Sequence, residues 1–254
     1  MMGTDMLSLS CVGTNPWQDC PDPTPGPDDP PTWVNPDSKV FDRVGSCTFE
    51  PVTVYAGAEC SVVGISFDEM RSRALAQLEL GEQRTLEEWF MTRFLCPRSD
   101  GNDLTPGTGA VSPVIGVALL EEWLAGTYGG QGVLHVPTTA GALLSVHRLI
   151  TDFVEGGTCP VTLAGNRVVL GAGYTPSVGP DGAGGCAAAP AGEMWFYITP
   201  AMRIRRDGPT LVTGEESQSI NTLINDRRLL AESTFVPEVA CCTAAAVRVT
   251  ITAP

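Results

Sequence analysis

The chain has 254 residues, 29 acidic against 15 basic side chains, a formal net charge of −14, and Lys39 as its single lysine. Nucleic acid and anionic membrane surfaces are gripped by Lys and Arg that neutralise phosphate, so this balance excludes a general electrostatic affinity for either. With 43% hydrophobic and 17% charged residues, a packed globular core is expected and a wholly disordered chain is excluded.

The opening MMGTDMLSLSCVG lacks the basic and long apolar regions of a secretory leader. No segment offers the roughly 20 continuous apolar residues that cross a bilayer, so folding in the cytoplasm is expected. Residues 20–37, CPDPTPGPDDPPTWVNPD, hold seven prolines and no basic residue. Such a run favours polyproline II at about 3.1 Å per residue, an extended arm with Trp17 and Trp33 as aromatic anchors. Next, KVFDRV, TFEPVTVY and ECSVVG read as strand pieces parted by Gly45 and by Ala56-Gly57, an edge hairpin or extended flap.

From Ser66 to Leu95, apolar residues recur at three and four, with a gap around Gly81 where a bend is expected. Ser66 caps this helix, Asp68 and Glu69 sit in its first turn, and Glu69 and Arg73 form an i,i+4 pair. A helix of about 45 Å is a spine for the whole domain. After a polar loop, Ser112 and Pro113 open a second helix that closes near Gly126. VLHVP reads as a buried strand, TTAGALLSVHRLI as a third helix, and LAGNRVVLGAGY as a turn and strand. SVGPDGAGGCAAAPAG reads as an exposed loop. EMWFYITP, AMRIRR, TFVPEV and AAVRVTI read as strands, with NTLINDRRLLAE as a short helix between them. The fold class is α+β.

The nine cysteines lack C-x-x-C spacing and only His135 and His147 could complete a metal site, so zinc is not expected and reduced, buried thiols are. Cys11 with Cys20, or Cys47 with Cys60, remain open as disulfides for a protein in an oxidising medium. GAGYTPSVG has no helix behind its glycines and reads as a plain loop rather than a phosphate cradle. There is no G-x-S-x-G elbow. His135 and His147 read as hydrogen-bonded structural histidines, and the pairs Glu87-Glu88, Glu121-Glu122 and Glu215-Glu216 as solvated. No catalytic residue, cofactor site or metal site is expected, and the chain does not read as an enzyme. What remains unexplained is MWFYITPAMRIRR, where Arg203, Arg205 and Arg206 follow the most aromatic run. With period two, Met202 and Ile204 share one strand face and Arg203 and Arg205 the other. That basic edge needs an acidic counterpart, in this chain or in a copy of it.

The order of these elements resembles the major capsid proteins of tailed bacteriophages, a fold shared with encapsulin nanocompartments. ALLEEWLAGTYGGQGVLHVPTTAGALL looks like the helix, strand and helix that enter the axial domain. GNRVVLGAGY and MWFYITPAMRIRRDG look like the strands that follow, and STFVPEVACCTAAAVRVTI like the closing strands. The resemblance covers residues 33–252. It implies an N-arm over residues 1–32, an extended loop over 33–65, a peripheral domain over 66–127 and 200–254 with its spine helix at 66–95, and an axial domain over 128–199. It further implies a non-enzymatic shell subunit that self-assembles into pentamers and hexamers of an icosahedral head. That head encloses double-stranded DNA without specific binding, is assembled in the host cytoplasm and resides in the virion, with decoration, portal or scaffolding proteins as further partners and no membrane. An encapsulin-like shell, or a decoration or tail protein, is the alternative. On this reading Arg203, Arg205 and Arg206 face acids of an adjacent copy, with Asp22, Asp28 and Asp29 of the arm or Glu79, Glu82 and Glu87 of the spine as candidates, while Trp17 and Trp33 dock on neighbours. Some members of the family join a loop lysine to a neighbour's asparagine, for which Lys39 with Asn221 or Asn225 would serve; the glutamate base is not assigned.

Overall fold

The computed structural model describes residues 46–48, 50–61, 64–151, 159–174, 177–212, 216–221 and 226–251. The expected KVFDRV strand, the arm, Trp17 and Trp33 lie outside the described residues. Strands β1 (Ser46–Thr48) and β2 (Val52–Ser61) come first. TFEPVTVY and ECSVVG are not two arms of a hairpin: Ala56 and Gly57 lie inside β2, whose inward side chains alternate with exposed ones.

Helix α1 (Phe67–Phe90) begins at Ser66, whose Oγ accepts from the Glu69 N–H. It remains helical through Gly81 and passes into a π turn (Met91–Leu95) and α2 (Cys96–Ser99), about 50 Å in all. Pro97 explains the widened turn: it has no N–H for the Arg93 carbonyl and its ring would press on that oxygen, so the preceding turn opens to i→i+5 bonding, as in Cys96 N–H to Met91 O. Ser112 and Pro113 open α3 (Pro113–Thr127) as expected. Strand β3 (Val133–Pro137) is buried throughout. Helix α4 (Ala140–Val146) stops short of the expected Ile150, because Arg148 at φ 54° turns the chain out. The Leu149 N–H then bonds Leu144 O and the Arg148 N–H bonds Ser145 O, which closes the helix.

Short strands β4 (Ile150–Thr151) and β5 (Val161–Thr162) lead to β6 (Arg167–Gly171) and a 3-10 turn at Ala172–Tyr174. The glycine-rich stretch expected as a loop is a hairpin of β7 (Val178–Pro180) and β8 (Cys186–Ala188). Then come β9 (Glu193–Thr199), β10 (Met202–Arg206), β11 (Thr210–Leu211), β12 (Ile220–Asn221), β13 (Asp226–Ala240) and β14 (Ala245–Thr250). Strand β13 overturns the short helix expected over NTLINDRRLLAE. Leu229 and Leu230 do not share a helix face; burial alternates along the whole segment, with Arg227, Leu229, Ala231, Ser233 and Phe235 pointing inward.

These elements make an α+β fold around two main sheets. The long sheet is organised by β13, some 50 Å of strand, flanked on one side by β1 and β2 and on the other by β10, β11 and β12 in succession. Its register slips by one between Thr48↔Glu238 and Val52↔Phe235, a bulge beside Pro51, which has no N–H for a ladder. The first half of α1 packs on one face of this sheet, setting Met70, Ala74 and Leu78 against Val54, Leu229, Ala231 and Phe235.

The mixed sheet runs β14-β9-β3-β6-β5-β4, with β3 parallel to β6 and antiparallel to β9. On one face α3 and α4 bury Leu120, Leu124 and Leu144 against Leu134, Val136, Phe196 and Ile198. On the other, Phe90, Met91, Phe94 and Leu95 from the end of α1 and the π turn meet Tyr174, Trp195 and Tyr197. The long helix therefore serves both sheets. Its buried face shifts between Leu78 and Phe90, which accounts for the gap in apolar spacing around Gly81. The chain crosses from β13 to β14 through Cys241 and Cys242, both at positive φ (61° and 52°), a left-handed pivot that costs about 1–2 kcal/mol per non-glycine residue.

The expectation of reduced thiols fails at Cys96 and Cys186, which are joined in a disulfide; Cys241 and Cys242 are disulfide-bonded as well. Cys60 is a free thiol, so it is not bonded to Cys47. Cys11 and Cys20 lie outside the described residues.

Candidate functional site

Two places gather polar side chains. The first is buried. Residues of β3 alternate between the faces of the mixed sheet, and this puts His135 opposite α1. Its Nδ1 lies 2.9 Å from the Tyr174 hydroxyl and its Nε2 3.0 Å from Thr199 Oγ1. Complete burial drives the His135 pKa from 6.5 to about 3, so the ring is neutral and each nitrogen is spoken for. The Tyr174 hydroxyl is pushed well above its ordinary range, by burial first and then by the nearby Glu87 carboxylate.

Glu87, expected to be solvated with Glu88, is instead buried. It accepts from the Gly173 N–H at 2.9 Å and from Gln83 Nε2 at 2.8 Å. Gly173 lies so close to α1 that a Cβ there would stand 2.3 Å from the Arg84 carbonyl oxygen. The sequence does carry a signal for Glu87: it falls three residues before Phe90 and seven before Phe94, on the face that packs inward. Glu121 is likewise committed, accepting from Thr162 Oγ1 and from Asn166 Nδ2. The Glu87–Gly173 bond ties the long helix to the turn after β6, each of these side chains already holds a partner, and the buried histidine is neutral near neutrality. Among the described residues no group of three or more His, Cys, Asp or Glu could hold a metal ion, and no helix is long and apolar enough to cross a membrane.

The second place is the outer face of the long sheet, away from α1. Register splits the three arginines of β10. Arg206 stands opposite Phe235 on the α1 side; its guanidinium lies 5.7 Å from the Phe235 ring centroid and 2.7 Å from Glu82 of α1. Arg203 and Arg205 are on the outer side, as period two predicts, and Arg205 pairs with Glu238 at 2.8 Å. The chain thus supplies acids of its own to Arg205 and Arg206, one of them on the helix. Further along this face, Arg228 meets Glu59 at 2.7 Å, Thr53 and Thr234 hydroxyls lie 3.1 Å apart, and Tyr55 is 70% exposed. Where Gly57 lacks a side chain, a notch of about 350 Å³ opens beside Leu230, Glu59 and Arg228. Among the described residues β2 pairs only with β13, and no other described strand lies along its far edge.

Of the other candidate residues, Asn221 is in β12 opposite Asp226. Asp22, Asp28, Asp29, Lys39 and Asn225 lie outside the described residues.

No protein-family description matches the chain, and no curated protein matches it in sequence. Its structure is similar to one from Gordonia phage Cozz, at 13% identity and a TM-score of 0.42, over 81% of this chain and 71% of that one. It is also similar to one from Mycobacterium phage Ogopogo, at 14% identity and a TM-score of 0.41, over 79% and 76%. A third is the asymmetric unit of the bacteriophage PhiM1 mature capsid, at 13% identity and a TM-score of 0.41, over 86% and 78%.

Proposed function

We propose that this chain is a structural shell subunit, a phage major capsid protein that assembles with copies of itself into pentamers and hexamers of an icosahedral head around double-stranded DNA. The carrying observation is the long sheet. A strand of 15 residues is buried on one face by α1, while the other face of its sheet presents Tyr55 and half-buried Leu230 and Val236, and no other described strand pairs the far edge of β2. Sheet edges of that length are usually blunted or covered in a protein that remains single, and an amphipathic face with a notch and matched charges suits a copy of the same chain.

In this reading residues 1–32 form an arm and 33–65 an extended loop, with 66–127 and 200–254 as peripheral domain and 128–199 as axial domain. Trp17, Trp33, Asp22, Asp28 and Asp29 contact neighbours, and Arg203 and Arg205 on the outer face, with Arg206 at the β10 margin, meet acids of an adjacent copy. Assembly takes place in the host cytoplasm, and decoration, portal or scaffolding proteins join the shell. Lys39 and Asn221 or Asn225 are the pair available for covalent joining between subunits. The net charge of −14 suits a wall that encloses DNA without adhering to it. The buried polar set supports the non-enzymatic half of the reading, since its groups are engaged with one another rather than converging on an opening.

The test is negative-stain microscopy with analytical ultracentrifugation of the purified chain. Closed shells of uniform diameter are expected. A compact monomer at every concentration, with Tyr55 still accessible to nitration, overturns the proposal.

A further inference from the structure

The β7–β8 hairpin has a packed base and a tethered tip. At the base, Ser177 Oγ accepts from the Trp195 N–H at 2.6 Å, the Tyr197 hydroxyl donates to Val178 O, and Gly179 lies so flat on Trp195 that a Cβ would stand 2.0 Å from the ring. The tip is different. Residues 181–184 and all of β8 are exposed, and among the described residues two attachments fasten them to the end of the long helix. Asp100 Oδ1 accepts from the Gly182 N–H at 2.8 Å and Oδ2 from the Gly184 N–H at 3.2 Å. The other attachment is the bond between Cys96 and Cys186, which are 90 residues apart.

We propose that the Cys96–Cys186 bond is a thiol-exchange site, opened by small-molecule thiols and closed by small-molecule disulfides, and that its state sets whether the hairpin tip is pinned to the helix. The asymmetry of the pair gives the direction of attack. Cys186 is exposed and Cys96 fully buried, so an incoming thiolate meets the Cys186 sulfur. A new S–S bond forms there, the Cys96–Cys186 bond breaks, and the electron pair leaves on Cys96, which takes up a proton. A second thiolate then attacks the small-molecule sulfur of the mixed disulfide and releases a symmetric disulfide, leaving Cys186 as a thiol. Two small thiols are oxidised and the two protein sulfurs are reduced; closure is the reverse, with a small-molecule disulfide as oxidant.

The open state is accommodated too. Cys96 Sγ lies 3.2 Å from the Gly185 carbonyl oxygen, so the thiol has an acceptor in place and its burial leaves no unsatisfied donor; Cys186 Sγ has the Thr92 carbonyl at 3.9 Å. Asp100 holds the tip in register while the bond is open, which makes reclosure local.

The full-length protein, equilibrated in reducing and oxidising glutathione buffers, is followed by hydrogen exchange and by alkylation mapping with Cys60 as the free-thiol reference. Reduction is expected to speed exchange at residues 181–188 about tenfold or more while β9 is unchanged. Cys186→Ser should show the fast exchange in both buffers, and Asp100→Asn should speed it further under reduction. Three results overturn the proposal: Cys96 and Cys186 alkylating as readily as Cys60 in the oxidised protein, exchange at 181–188 that ignores the buffer, or a buffer effect that persists in Cys186→Ser and so originates at sulfurs other than this pair.

Discussion

Strands β9 and β13 are each flanked on both edges, yet they are buried in opposite ways. Six of the seven residues of β9 are buried, because α3 and α4 cover one face of the mixed sheet and the end of α1 the other. Along β13 burial alternates, because α1 covers one face and no described element covers the other. The mixed sheet therefore carries its cohesion inside the chain. The long sheet has an amphipathic outer side whose apolar part no described element covers, and apolar surface of that kind gains from contact.

The sharpest way to break this contrast is to remove bulk from each sheet. Phe196→Ala, in a side chain with no exposure, should cost about 3–5 kcal/mol by denaturant titration, whereas Tyr55→Ala should cost under about 0.5 kcal/mol and act on assembly instead. Equal losses would refute the distinction.

A smaller effect comes from the mixed sheet's buried histidine. The folded His135 pKa of about 3 lies below its unfolded value of 6.5, so between those pH values the unfolded chain binds a proton that the folded one refuses. Stability is full above about pH 6.5 and is lost as pH falls, with a slope approaching 1.4 kcal/mol per pH unit from this group. His135→Gln should flatten the pH dependence between pH 6 and 4 by about that slope; an unchanged slope would mean that the ring takes a proton in place.

Charge changes on the outer face are expected to disturb folding less than either buried substitution. Arg205 is about half exposed where it meets Glu238, so Arg205→Glu should change monomer stability by under about 1 kcal/mol. Exchanging the two charges, Arg205→Glu with Glu238→Arg, separates two roles. Shells that fail in the single variant and return in the exchanged one assign Arg205 to Glu238; shells that fail in both assign it to a different acid, as the arm or spine of an adjacent copy would supply.

Particular residues show how far the sequence could be read. Ser66, Asp68, Glu69 and the apolar spacing wrote out α1, and Ser112 with Pro113 wrote out the start of α3, because caps and helix faces depend on residues within a few positions. Met202 and Ile204 were correctly set apart from Arg203 and Arg205. Strand β13 is hidden in the sequence, since Arg227, Arg228, Leu229, Leu230 and Glu232 are good helix formers and Leu229-Leu230 masks the alternation. Ala56-Gly57 has the composition of a turn, yet pairing of β2 with β13 over ten residues holds it extended. At the buried polar set, His135 was legible as a structural histidine, but its partners Tyr174 and Thr199 were not, being 39 and 64 residues away.

The acidic charge, the long helix, the second helix with its cap and the α+β class follow from composition or from neighbours one or two turns apart, and so are legible along the chain. Tertiary structure alone decided that residues 226–240 extend, that Glu87 is buried, that Arg206 reaches Glu82 and that Cys96 meets Cys186. Each of these depends on a partner tens to more than a hundred residues away, whose nearness is fixed by the closing of both sheets around one helix and is written in no local pattern.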